Sequence, residues 1–151
     1  MEDRPAADTP AELRARALRL LARREHSRQE LARKLSPRAE SREALERLLD
    51  ELEARKQLSE ERYAELRAHV LGRKYGAARI RQDLKSKGVS EELAARFSGV
   101  DEVQKAREIL ARKYREPATT REERARRMRF LQSRGFSSEI IFRLLSARDA
   151  G

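Results

Sequence analysis

Two seven-residue stretches of this chain, 47 positions apart, are written to one pattern: LKSKGVS at residues 84–90 and LQSRGFS at residues 131–137. Each reads leucine, any residue, serine, a cation, glycine, an apolar residue, serine. The glycine sits where a helix most readily ends in a left-handed cap, and the final serine sits where the next helix needs a side-chain oxygen for its unpaired amides. The pattern is a corner between two helices, used twice. A second correspondence lies close by: Leu71-Gly-Arg-Lys-Tyr75 matches Leu110-Ala-Arg-Lys-Tyr114, and Leu21-Ala-Arg-Arg-Glu25 matches both more faintly. Self-similarity of this kind restricts the chain to tandem modules.

Apolar periodicity fills in the modules. Leu13, Ala17, Leu20 and Leu21, then Leu31 and Leu35, then Leu45, Leu48, Leu49 and Leu52 predict three short helices. Tyr63, Leu66 and Val70, then Ala77, Ile80 and Leu84, then Leu93 and Phe97 predict three more. Val103, Ala106 and Leu110, then Met128 and Leu131, then Ile140, Ile141, Leu144 and Leu145 predict the last three. Ser59, Ser90 and Ser137 stand at the N-cap positions of this scheme, and Gly88 and Gly135 stand just past the preceding stripes.

The resulting fold class is all-α: three tandem three-helix repeats at residues 11–58, 59–99 and 100–151, behind a tail at 1–10 whose low hydrophobicity predicts disorder. A repeat this small cannot bury its faces alone, so neighbours are expected to stack into an elongated, curved array. The third repeat carries an additional proline-containing segment, REPATT at residues 115–120, which reads as a longer connection in preference to a dedicated functional loop.

Catalysis is not expected, because its parts are missing. The chain has no cysteine, which removes disulfides and thiolate metal sites, and His26 and His69 have no partner at ligand spacing. Gly72 and Gly76 do not form a phosphate-binding loop. The acid pairs Glu60 and Glu61, and Glu91 and Glu92, fall in first helical turns, where carboxylates complement the helix dipole. No cofactor or metal is expected. His26 is expected in a solvated turn after the first helix, and His69 fits either face of its helix. There is no apolar run long enough for a membrane span, and the opening MEDRPAADTP resembles neither a secretory signal nor a transit peptide, so the cytoplasm is the expected compartment.

Charge supplies the functional lead. Charged residues make up 41% of the chain and the net charge is +10, which favours a polyanionic partner. An Arg-rich chain from a GC-rich genome is the bland alternative, but the charge is segregated. Residues 38–65 hold six basic and nine acidic groups, 72–87 hold six basic and one acidic, and 105–134 hold eleven basic and four acidic. The candidate binding residues are Arg73, Lys74, Arg79, Arg81, Lys85 and Lys87 in the second repeat. Arg112, Lys113, Arg126, Arg127, Arg129 and Arg134 hold comparable places in the third. Their repetition suggests one basic stripe, weighed against solvated helix faces. Tyr75, Tyr114, Phe130 and Phe136 lie among the cations but also fit the apolar stripes, so Tyr75 and Tyr114 are read as packing residues first and direct base readout is not expected.

Several segments together resemble the RecX regulatory proteins. These are the opening run ALRLLARREHSRQEL at residues 17–31, SEERYA at 59–64, RKYG at 73–76, IRQDLKSKGVS at 80–90 and MRFLQSRGFS at 128–137, a likeness spanning roughly residues 11–147. No single motif is specific, whereas their order and spacing are. One departure is Ser-Glu-Glu-Arg before Tyr63, where two aspartates are often found. The resemblance implies three three-helix repeats. It further implies a non-enzymatic modulator that binds the RecA recombinase filament on DNA and inhibits its ATPase and strand exchange, in recombination, DNA repair and the SOS response. The implied partners are the RecA filament and single-stranded DNA, with duplex DNA a further candidate through phosphate contacts, and no membrane; a monomer is expected. Charge alone leaves two alternatives, a general nucleic-acid binder acting without RecA and an adaptor for an acidic protein.

Overall fold

The computed structural model describes residues 6–149, with side chains for 6–145. Among them the chain forms α1 (Pro10–Arg23), α2 (Arg28–Leu35), a 3-10 turn (Ser36–Arg38), α3 (Arg42–Ala54), α4 (Glu60–Leu71), α5 (Ala77–Ser86), α6 (Glu91–Ser98), α7 (Glu102–Lys113), α8 (Arg121–Ser133) and α9 (Ser138–Asp149). The helices come in threes in the expected order, and no strand occurs among the described residues. Ser59, Ser90 and Ser137 each accept a backbone N–H from three residues on, and Gly88 and Gly135 end their helices at φ +87° and +98°. Thr9, Ser27, Ser41 and Thr120 cap further helices in the same way.

Two compact units account for the chain. The first runs to Leu66 and includes Lys87–Val89; the second comprises Arg67–Ser86 and the chain from Ser90. In the first unit α1, α2 and α3 enclose a leucine core in which Leu31, Leu35, Leu49 and Leu52 are fully buried, each contributing roughly 1.5–3 kcal/mol of apolar burial. Arg28 at the start of α2 spans Glu46, Asp50 and Glu53 on one face of α3, at 2.6, 2.9 and 3.1 Å. In the second unit α7, α8 and α9 pack around Leu110, Leu131, Ile141 and Leu144.

Three expectations change. Where a tail was expected, residues 8–10 are built into the start of the first helix. Asp8 is buried, donates its N–H to the Arg38 carbonyl at 2.8 Å, and binds Arg16 and Arg38 through its carboxylate. Thr9 forms a capping box with Glu12, and Pro10 is the first residue of α1. Of the rest of the expected tail, Ala6 and Ala7 are exposed and outside any helix, and residues 1–5 lie outside the described residues.

His26 is buried rather than solvated, since its ring lies between the Arg24 carbonyl, 3.0 Å from Nδ1, and the Lys34 ammonium, 3.0 Å from Nε2. An ammonium can only donate, so Nε2 accepts and Nδ1 carries the proton. Burial holds its pKa below the ordinary histidine value. Next to it, the Arg24 guanidinium holds the Glu30 carboxyl at a pKa of about 2. His69, by contrast, is exposed.

In the middle triad the stripe of α5 is as expected, with Ile80 and Leu84 buried, and Tyr63 of α4 is buried too, whereas the rest of α4 and the stripe of α6 are shifted. Ala64 and Ala68 of α4, and Ala94 and Ser98 of α6, are buried, while Leu66 and Val70 are about half exposed and Leu93 and Phe97 are partly buried. On α6, which packs against α5, small side chains admit the neighbouring helix more closely than leucine does. Met128 is also exposed, because the stem of Arg127 occupies the inward position beside it.

Candidate polyanion-binding surface

In the second unit three helix C-termini converge. The turn after α4, residues 72–76, docks on the corner between α8 and α9: Gly76 N–H donates to the Arg134 carbonyl at 2.7 Å and Ala78 N–H to the Gly135 carbonyl at 3.1 Å. Glycine is required at position 76, because a Cβ there would lie 2.7 Å from the Phe136 ring and 2.8 Å from the Gly135 carbonyl carbon. From α7, the Glu102 carboxylate accepts the Ala77 N–H at 3.0 Å and so caps α5, while its half-burial raises its pKa. At the far end of α7, Arg112 donates to the Arg73 carbonyl.

This convergence explains why cations collect here. The ends of α4, α7 and α8 present carbonyls without helical partners, and lysine or arginine in the last turn is stabilised by that partial negative charge. Arg73 and Lys74 follow α4, Arg112 and Lys113 close α7, and Arg134 follows α8. Arg79 joins them from α5, donating to the Ser133 carbonyl at 3.2 Å.

Aromatic rings are threaded between these cations. Arg79 lies 4.6 Å and Arg134 5.7 Å from the centre of the Tyr75 ring. Arg134 is also 5.2 Å from the Phe130 ring, and Lys113 is 4.6 Å from it. Lys113 is 6.0 Å and Arg127 4.5 Å from the Tyr114 ring, which meets Phe130 edge-on at 6.0 Å and 84°. Cations and rings thus alternate continuously from Arg79 to Arg127, and each ring is partly buried.

The remaining candidates fall elsewhere. Arg127 is buried at 7% exposure and donates to the Glu116 carbonyl at 2.7 Å, tying down the segment 115–120. That segment is further closed by Glu123, whose carboxylate accepts the Thr119 N–H at 2.8 Å and is held below its usual pKa by that bond. Arg127 is therefore a packing residue, and only its aromatic contact joins it to the surface. Arg81 and Lys85 point away from Arg79 on α5 and share the Glu91 carboxylate at 2.5 and 3.7 Å. The Arg81 hydrogen bond, with Lys85 beside it, lowers the Glu91 pKa. Lys87 is exposed and belongs to the first unit. Arg126 and Arg129 are exposed on α8. At about 100° per residue Arg126 flanks the Phe130 stripe, and Arg129 lies well to one side.

Sequence reasoning named these cations but missed what orders them. Glu102, which fixes the α5 start, and Glu91, which neutralises two candidates, carried no sequence signal beyond lying in first turns. Among the described residues no group of three or more His, Asp or Glu could hold a metal ion, and no helix is long and apolar enough to cross a membrane.

The fold and this surface define a class: all-α proteins assembled from three-helix modules that gather cations at converging helix ends. Residues 59–96 match the model of the second three-helix domain of RecX, and residues 100–145 match the third. The regulatory protein RecX of Leptothrix cholodnii is 44% identical over 140 residues, covering 91% of this chain and 89% of that protein. That of Pseudomonas fluorescens is 44% identical over 147 residues, covering 93% and 94%. The crystal structure of RecX from Lactobacillus salivarius superposes with a TM-score of 0.77 at 21% identity over 94% of this chain and 97% of that one. The chain belongs to the RecX family of regulatory proteins.

Proposed function

We propose that this protein is a modulator of the RecA recombinase, binding RecA filaments on DNA and suppressing their ATP hydrolysis and strand exchange, without catalysis of its own and in the cytoplasm. The observation that carries the contact surface is the gathering of Arg73, Lys74, Arg79, Arg112, Lys113 and Arg134 at one junction of helix ends. Family membership supports RecA as the target. Several fixed cations on one surface need no pocket, because many weak contacts to a repeating anionic partner combine through effective concentration.

The test is ATP hydrolysis by a preformed RecA–DNA filament as the protein is added. Suppression at stoichiometric amounts is expected; unchanged hydrolysis and strand exchange would reject the proposal. Reversal of Arg73, Lys74 and Arg126 to Glu is expected to weaken suppression with helicity intact. Arg127 does not belong in that set, since its burial makes reversal a folding defect. A second reading, a general nucleic-acid binder acting without RecA, is favoured by the same cations alone. Salt-sensitive DNA binding combined with no effect on RecA would select it.

A further inference from the structure

Cations beside aromatic rings ordinarily suggest a platform for single-stranded nucleic acid, where each base stacks on a ring while cations follow the backbone. Here the rings are already occupied. Each of Tyr75, Phe130 and Tyr114 has one cation 4.5–4.6 Å from its centre and a second within 5.2–6.0 Å. Tyr114 and Phe130 also spend an edge contact on each other. A base stacking on a ring face that one of these cations covers would have to displace it, and at Tyr75 and Phe130 the displaced cation, Arg79, Arg134 or Lys113, is one that would attract the phosphate.

The hydrogen bonds point the same way. Arg79 is fixed to the Ser133 carbonyl and Arg112 to the Arg73 carbonyl, each through one guanidinium nitrogen, which leaves other N–H groups of both forks without a protein acceptor. The rings act as supports that hold cations in place, lowering the entropy lost when an anion binds.

We propose that this surface recognises a chain of phosphates independently of any base, so that its ligand class is a linear array of anionic phosphate groups, whether the phosphodiester backbone of a nucleic acid or inorganic polyphosphate. The inference rests on the polyanion contact in the proposed function and defines its specificity. Binding follows the density of phosphate and ignores whether a base is attached.

The experiment compares the full chain binding two fluorescently labelled oligonucleotides of equal length, one of thymidylates and one with abasic residues throughout, at two salt concentrations. Intrinsic tyrosine fluorescence is followed in parallel; the chain has three tyrosines and no tryptophan, so a base stacking on Tyr75 or Tyr114 would quench a measurable share of the signal. Affinities within about twofold, equal salt slopes, no base-dependent quenching, and competition by inorganic polyphosphate are the expected results. Weakening of the abasic strand by tenfold or more, the loss expected when even one or two stacked bases are removed, would overturn base independence while leaving the polyanion contact standing. Salt-sensitive binding to neither strand would instead overturn the polyanion contact, and with it this inference.

A variant gives a second reading. In Arg79→Ala with Arg134→Ala, Tyr75 loses both its cations and Phe130 loses one, so total affinity is expected to fall while a preference for the base-bearing strand of several-fold appears. A folded double variant, checked by circular dichroism, that binds both strands equally would show that the rings do not become stacking sites when uncovered and would reject their assigned role.

Discussion

Gly76→Ala is the substitution whose effect the structure defines most closely. Its new methyl would sit 2.7 Å from two Phe136 ring atoms and 2.8 Å from a backbone carbon, well inside van der Waals contact. Phe136 is 4% exposed within the α7–α9 core, so the ring has no free direction of retreat. Relief requires the 72–76 turn to lift off the α8–α9 corner, stretching the bonds from Gly76 to Arg134 and from Ala78 to Gly135. Overpacking costs about 1–3 kcal/mol, and a weakened buried hydrogen bond adds about 0.5–1.5 kcal/mol. A loss of roughly 2–4 kcal/mol is expected, read as a lower urea midpoint followed by far-ultraviolet circular dichroism. Because Tyr75 and Arg79 flank the glycine, polyanion affinity should fall as well. Gly99→Ala is the matched control: a Cβ there meets nothing within 4 Å, and its φ of −97° suits any residue. Its stability should change by less than about 0.5 kcal/mol, leaving the urea midpoint almost unmoved. If Gly76→Ala were as harmless as Gly99→Ala, the docking of that turn on the α8–α9 corner would be refuted.

Three further outcomes are expected. His26 has a folded pKa below its unfolded value near 6.5, so the unfolded chain binds its proton first; its stabilising contribution is complete above that pH and is lost as pH falls. Urea midpoints measured between pH 7.5 and 5.5 should fall in the native protein and fall less in His26→Gln, and parallel curves would contradict the buried neutral ring. Arg127→Ala should destabilise by about 2–3 kcal/mol through loss of the Glu116 carbonyl bond and the Tyr114 contact, whereas Arg126→Ala should leave stability within about 0.5 kcal/mol and reduce the salt slope of DNA binding by about one. Equal stability of the two variants would return Arg127 to the surface. Asp8→Asn should release the start of α1 from Arg16 and Arg38, seen as faster tryptic cleavage within residues 10–38; unchanged cleavage would mean that the Asp8 ion pairs do not restrain that segment.

The local chain determines its helices and their ends. Ser59, Ser90 and Ser137 cap, and Gly88 and Gly135 terminate, because those tasks are settled within three or four residues and depend on side-chain oxygens and left-handed backbone alone. The triads followed from the same signals. So did the inward faces of most helices, but not those of α4 and α6, where Ala64, Ala68 and Ala94 are buried in place of the larger Leu66, Val70 and Leu93.

Composition likewise established that cations would crowd residues 72–87 and 105–134. Only the tertiary structure decided what each one does. Arg127 was drawn inward by a carbonyl eleven residues away, Arg81 and Lys85 were claimed by Glu91, and Arg79 and Arg134, distant in sequence, were brought to the same tyrosine ring. A positive charge is written in the residue type, but its availability depends on which carbonyls, carboxylates and rings lie within about 4 to 6 Å, and that neighbourhood exists only once the helix ends have met.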